Sequence, residues 1–392
     1  MKKLSETNLL FAVVFFLFIF VGGAMADINL YRFKVLGESS SNYEYIEEEK
    51  GNLQAEYIAN FPHKVSLVDI NGFARKIMGQ REMNGVVKLK NGHLTAVDNV
   101  MNEDCLEKNS QAIIQFNEYC KEQEIRLIFV QPAYKISKFD DQLPPGVEDG
   151  HNQTMDRLLD LISSSGVETL DLRQIMHDEN INPYDFYYRT DHHWTTQGAF
   201  YAYTKIAPLI KEQTNTTLDE ELLDLDNYIV ETYPEWHLGA RGQRTGTAFA
   251  GIDDYDLIYP DFETHIFHQE DETVNNLKDS MVRQEIFLSK DTKNRYTYDW
   301  AYGKNEINSL ISKDAQTDLS VLLLSDSFKH ALNPYFLLTY KEYHEDSYTT
   351  LSTAMLQKYN PDVVIILPWP GNFSENSVTF TFVNDTSIEG TQ

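Results

Sequence analysis

Three short apolar runs constrain the fold of this chain more than any other feature. They are Ile125-Arg126-Leu127-Ile128-Phe129-Val130, Ser320-Val321-Leu322-Leu323-Leu324 and Asp362-Val363-Val364-Ile365-Ile366-Leu367. Each is strand-length, and each is almost unbroken in apolar residues rather than alternating. A strand reads this way when both of its faces are buried, as in a parallel sheet covered by helices. Val167-Glu168-Thr169-Leu170-Asp171-Leu172 supplies one more strand. Helical spacing predicts helices over 104–123, 152–163, 196–211, 330–341 and 350–359. Strands that alternate with helices imply an α/β fold with a central, mostly parallel sheet. Reactive groups then belong at the carboxyl ends of the strands.

The rest of the chain is less regular. Asn84-Gly85-Val86-Val87-Lys88-Leu89 and the following Asn91-Gly92-His93-Leu94 predict a hairpin around an Asn-Gly turn. Residues 225 to about 315 are rich in Tyr, Asp and Thr and read as an inserted, β-rich or irregular segment. Lys2 and Lys3 precede an uncharged stretch from Leu9 to Ala26 that ends in small residues. This pattern predicts a cleaved signal peptide or a retained N-terminal anchor over 1–26, with the remainder exported. Residues 27–83 read as a membrane-proximal stalk, 84–380 as the catalytic domain and 381–392 as a tail. Cys105 and Cys120 fall on one predicted helix, roughly 22 Å apart by helix rise. They are therefore expected as free buried thiols rather than a disulfide.

The formal charge of −27 argues against nucleic acid as a partner and against docking on anionic lipid. At 42% hydrophobic and 12% aromatic residues, the chain can bury a substantial core.

The chemistry concentrates in Tyr188-Arg189-Thr190-Asp191-His192-His193-Trp194-Thr195. An acid two residues from a histidine can orient it and stabilise its charged form, which is half of a nucleophilic triad. On an extended chain His192 and His193 point to opposite sides, so one can do chemistry while the other packs. The spacing favours His193 as base and Asp191 as its acid. Ser327, just past an apolar strand and just before a predicted helix, is the candidate nucleophile. The same placement suits a helix N-cap. Arg189 suits a substrate carboxylate or a structural ion pair, and Trp194 suits packing. Asp191 and His192-His193 could also ligate a metal, completed by His237, Asp253 or Asp254. No companion acid-rich motif at a strand end supports that alternative, so neither metal nor cofactor is expected.

Thr190-Asp191-His192-His193-Trp194-Thr195-x-x-Gly198-Ala199 resembles the signature of the DHHW family, which is similar to the SGNH hydrolase-like domains of bacterial alginate O-acetyltransferases. Asn84-Gly85-Val86, Phe129-Val130-x-Pro132 and Pro361-Asp362-Val363-Val364 resemble further motifs, so the likeness spans most of residues 60–375. It implies a three-layer α/β/α SGNH-hydrolase-like domain with Asp191 as acid, His193 as base and Ser327 as nucleophile. Two departures stand out. Ser325-Asp326-Ser327 replaces the usual Gly-Asp-Ser, and Pro368-Trp369-Pro370-Gly371-Asn372 follows the last strand. Asn372 is the candidate oxyanion amide, or alternatively a turn asparagine. Arg189 and His192 join it as candidate substrate contacts.

The function implied is extracytoplasmic acyl, and specifically acetyl, transfer on a cell-surface polysaccharide. Its partners would be an acylated carbohydrate and a membrane-bound acyl-donor protein. A carbohydrate acetylesterase using the same three residues, and an inactive glycan- or partner-binding scaffold, are the alternatives.

Overall fold

The computed structural model describes residues 64–288 and 297–385. The expected signal or anchor over 1–26, most of the stalk and the end of the tail lie outside them. Among the described residues no helix is long and apolar enough to cross a membrane. All described residues after Lys64 belong to one unit.

Five parallel strands form the centre: β1 (Arg126–Gln131), β2 (Glu168–Asp171), β3 (Thr317–Ser325), β4 (Tyr340–Asp346) and β5 (Val363–Leu367), in the order β4-β3-β5-β1-β2. The apolar runs are indeed buried on both faces, and their side chains divide with a period of two. Ile128, Val130, Val321, Leu323, Val363 and Ile365 enter one core. Leu127, Phe129, Leu322, Leu324, Val364 and Ile366 enter the other. Helices α1 (Glu103–Glu122) and α2 (His151–Ser164) cover the second core through Ile113, Phe116, Met155, Leu158 and Ile162. Helix α3 (Thr196–Thr214) covers the first through Phe200, Tyr203, Ile206 and Ile210. This is a three-layer α/β/α arrangement. Asn102 caps α1 by accepting from the Cys105 N–H, and Thr195 caps α3 by accepting from the Gly198 N–H, each with a short polar side chain suited to the role. Cys105 and Cys120 are buried and free.

Two expectations are corrected. The helix expected over 330–341 is a 3₁₀ turn at Ser327–Ala331 and a helix at Asn333–Thr339, after which Tyr340–Asp346 forms the edge strand β4. The helix expected over 350–359 begins as a short strand, Thr350–Ser352, and becomes helical at Thr353. The Asn-Gly hairpin is present. Glu82–Met83 pairs with Val86–Lys88 around Asn84 and Gly85, both at positive φ, the backbone that an Asn-Gly turn favours. The inserted segment is a long antiparallel pair, Tyr228–His237 with Asp253–Pro260, and a small sheet built from Ile266–His268, Val274–Asn275 and Leu310–Ser312. Upstream, helix Lys64–Ile77 meets this insertion, where Asp69 accepts from the Thr247 N–H at 2.7 Å.

Candidate active site

The block between Tyr187 and Trp194 is not extended. Those two residues form an isolated antiparallel bridge, and the chain between them bends back on itself. His192 and His193 therefore lie side by side, with ring centroids 3.9 Å apart. The expectation that they face opposite sides is corrected: alternation requires a strand, and this is a closed loop. Lys135, just past β1, holds the loop's start. Its buried ammonium donates to the carbonyls of Leu94 (2.7 Å) and Arg189 (3.1 Å), and burial drags its pKa down to about 7.

Ser327 begins the 3₁₀ turn directly after β3, at the carboxyl edge of the sheet. Its Oγ lies 2.7 Å from His193 Nε2. His193 Nδ1 stands 3.4 Å from Asp191 Oδ2, close enough for an ion pair but outside hydrogen-bonding geometry. The His193 ring is stacked on Tyr298, centroids 4.0 Å apart and 15° from parallel. Tyr298 is fixed in turn by donating to the Phe328 carbonyl and accepting from Trp194 Nε1 at 2.7 Å. Trp194 therefore packs, and it also joins the histidine loop to the serine turn.

Asp191 is buried yet well supplied with donors. Oδ1 accepts from the His192 N–H at 2.7 Å and faces His192 Nδ1 at 2.9 Å. Oδ2 lies 2.9 Å from His237 Nε2. Burial alone would raise the Asp191 pKa. The charge of His193 and hydrogen bonds from His192 and His237 outweigh it and hold the carboxyl well below its usual range. For His193 burial dominates over the attraction of Asp191 and lowers its pKa to about 4. The pair at neutral pH is thus a carboxylate and a neutral imidazole, the state in which the imidazole can accept a proton from a hydroxyl.

In the sequence His237 stands out only as a possible metal ligand. It comes from the end of an inserted strand, and no spacing rule links it to Asp191, 46 residues upstream. The other proposed metal ligands lie elsewhere. Asp253 accepts from the N–H groups of Arg189 and Thr190 and from the Thr190 hydroxyl, while Asp254 accepts from the Glu235 N–H. Among the described residues, Asp191, His192 and His193 do bring ligand atoms within 4.8 Å of one another.

The remaining candidates are engaged structurally. Arg189 Nε donates to Asp253 at 3.1 Å and Nη2 to the Ile252 carbonyl at 2.8 Å, which clamps the loop to the insertion. Asn372 Nδ2 donates to Asp326 Oδ2 at 3.2 Å and also to the Tyr348 hydroxyl. Asp326 accepts from the N–H groups of Phe328 (3.0 Å) and Trp369 (2.8 Å) as well, so it ties the serine turn to the segment after β5. Ser325, in the place of the expected glycine, donates its hydroxyl to the Leu367 carbonyl at 2.6 Å.

A family model described as DHHW protein matches residues 167–348. Another, described as the SGNH hydrolase-like domain of acetyltransferase AlgX, matches residues 94–235. No curated protein matches. Among solved structures, Bacillus cereus PatB1 superposes with a TM-score of 0.58 at 19% identity, covering 76% of this chain and 99% of its own. The same protein with a sulfonyl adduct gives 0.58 at 18% identity, covering 77% and 99%. A DHHW family protein from Eubacterium siraeum gives 0.50 at 16%, covering 75% and 94%. The chain thus carries an SGNH hydrolase-like fold and is related in sequence to DHHW proteins and to the SGNH hydrolase-like domain of acetyltransferase AlgX.

Proposed function

We propose that this chain transfers an acyl group, acetyl in the first instance, between oxygens on a carbohydrate, with Ser327, His193 and Asp191 as its triad. The observation that carries this reading is the 2.7 Å approach of Ser327 Oγ to a buried, neutral His193 whose other nitrogen faces the Asp191 carboxylate. His193 Nε2 takes the Ser327 proton as Oγ bonds the acyl carbon. The donor's C–O bond then breaks, and its oxygen leaves with the proton from His193. A sugar hydroxyl next gives its proton to His193 and attacks the acyl-serine, and Ser327 recovers its hydrogen as the new ester departs. Water in place of the sugar makes the same site an esterase. Asp191 stays ionised throughout and stabilises the imidazolium.

The leading N–H groups of a helical turn lack intrahelical partners. Here the Phe328 N–H is taken by Asp326 Oδ1 and the Lys329 N–H by the Asp326 carbonyl. The Ser327 N–H therefore remains as our candidate donor to the oxyanion. We assign Asn372 to holding the turn through Asp326 rather than to the oxyanion itself.

The relation to an acetyltransferase domain favours transfer over simple hydrolysis. The apolar N-terminal run favours an extracytoplasmic site of action, where a membrane-bound partner would deliver the acyl donor. A serine-directed fluorophosphonate should label the wild-type protein at Ser327 and leave Ser327→Ala unlabelled. Acetylation of an added glycan, measured against acetate release, separates transferase from esterase. Absent labelling, together with an unaltered phenotype for Ser327→Ala, would leave only the scaffold reading. Activity abolished by a chelator and restored by a divalent cation would instead favour metal chemistry at the Asp191-His192-His193 cluster.

A further inference from the structure

We propose that the cavity beside Tyr184 is a binding subsite for one pyranose ring of a neutral glycan, set to hold an acceptor chain that reaches Ser327 a few units further along. This rests on the acyl-transfer reading above. The cavity measures about 200 Å³ and is bounded by the segments that follow β1 and β2, residues 133–140 and 173–184. That is less than the roughly 300–1,000 Å³ typical of drug-sized ligands, so it suits a single ring.

Its position follows from the strand order. β1 and β2 lie two and three places from β3 in the same sheet, and their carboxyl ends share its edge with Ser327. At the usual strand spacing this is a lateral offset of about 10–14 Å, a span of a few linked sugars. The chain also runs directly from one place to the other. Tyr184 lines the cavity, and the same loop reaches Asp191 seven residues later. Tyr187 donates its hydroxyl to the carbonyl of Ala133, another residue of the lining, so cavity and histidine loop are braced together.

The chemistry of the lining selects the ligand class. Phe139 is 42% exposed and held flat against His177, with ring centroids 3.8 Å apart and 6° from parallel. An exposed, rigid aromatic ring offers a π surface on which the C–H face of a pyranose can pack. Tyr184 is nine-tenths buried, and among the described residues its hydroxyl has no hydrogen-bond partner. The Ser137 backbone lies near it but outside hydrogen-bonding geometry. A buried hydroxyl left unmatched is costly, and a sugar hydroxyl would satisfy it once the Tyr184 ring turns to expose an oxygen that is fully covered in this structure. The cations of the lining are already neutralised. Arg173 binds Asp156 and Asp171 at 2.8 Å each, and Lys138 binds Asp156 at 3.1 Å. No unpaired cation is left for a uronate among these groups, and a chain of net charge −27 repels polyanions.

The test uses Phe139→Ala and Tyr184→Phe, neither of which touches the triad. Cellopentaose, chitopentaose and mannopentaose serve as neutral probes, and oligogalacturonate as the anionic one. Amide resonances of residues 136–140 and 182–184 should shift with at least one neutral pentasaccharide. With that sugar as acceptor and 4-nitrophenyl acetate as donor, Phe139→Ala should raise the acceptor KM about tenfold. Tyr184→Phe should raise it less, and hydrolysis of 4-nitrophenyl acetate in water should stay at the wild-type rate in both. The subsite is overturned if no neutral probe shifts those amides, if oligogalacturonate alone does, or if Phe139→Ala leaves the acceptor KM unchanged. A wild-type protein that does not turn over 4-nitrophenyl acetate would count against the triad, while the resonance shifts would still decide the subsite.

Discussion

Asp191 has more partners than its spacing from His193 implies. His237 approaches Oδ2 at 2.9 Å, nearer than His193 at 3.4 Å, and His192 occupies Oδ1. The carboxylate is therefore held in place from both oxygens, and its orientation does not depend on His193 alone. Asp191→Asn should keep the fold but slow fluorophosphonate labelling of Ser327 by roughly 10³–10⁴, because an amide cannot stabilise the imidazolium. His237→Phe should slow labelling less, since it removes one of several donors and leaves the 2.7 Å contact between His193 and Ser327. Equal losses for the two variants would show that His237 does more than position the acid. The pH profile gives a separate check. Burial, opposed only in part by Asp191, lowers His193 to about 4. The imidazole is neutral above that value and protonated below it, and the protonated form cannot accept the Ser327 proton. Labelling should hold steady from neutral pH down to about 5 and fall as the pH passes through about 4. A midpoint near the ordinary histidine value of 6.5 would contradict this.

At the scale of elements, the insertion completes the site instead of decorating it. Its strand Tyr228–His237 ends in the histidine that meets Asp191, and the chain then passes so close that a Cβ on Gly239 would lie 2.2 Å from Asp191 Cβ. Gly239 has an ordinary backbone conformation, so its role is close approach rather than a left-handed turn. Gly239→Ala should push Asp191 off position and reduce acyl transfer by about a hundredfold, the scale of a 1 Å misplacement. Near-native circular dichroism alongside that loss would assign it to geometry, whereas full activity would show that the insertion can yield. Edge strand β4 teaches a different lesson. Tyr340-Lys341-Glu342-Tyr343-His344-Glu345-Asp346 is mostly polar because an edge strand has one strand neighbour and partial exposure. Without an apolar run or clear alternation, the sequence places only Tyr340 and Lys341, at the end of the expected helix, and gives the rest of the strand no element.

For the whole molecule, buried histidines set the response to acid. His93 is lowered to about 3, and His193 and His330 to about 4, in each case chiefly by burial. Their folded values lie below the unfolded value of 6.5, so between the two the unfolded chain binds more protons and stability rises with pH. Asp299, raised to about 6 by burial and by Asp191, and Asp326, raised by burial, act in the opposite sense above 3.8, but the three histidines outweigh the two acids. Lys135, lowered to about 7 by burial, acts in the same sense above that value, so the Tm should already decline from pH 8 to 7 and fall further as the pH drops from about 6.5 towards 4. A Tm unchanged between pH 7 and 5 would mean that these imidazoles are solvated. The sequence by itself determined four of the five strands, the helices between them and the pairing of Asp191 with His193 and Ser327 as chemical types. Burial on two faces and helical spacing are local patterns, and an acid two residues from a histidine is a local motif. Tertiary structure decided what those patterns leave open. It bent the histidine loop back so that both imidazoles share one carboxylate, brought in His237 from the insertion, engaged Arg189 and Asn372 in structural contacts, and added β4 at the sheet edge. Each of these depends on contacts between segments far apart in the chain, and no periodicity or spacing within one segment encodes them.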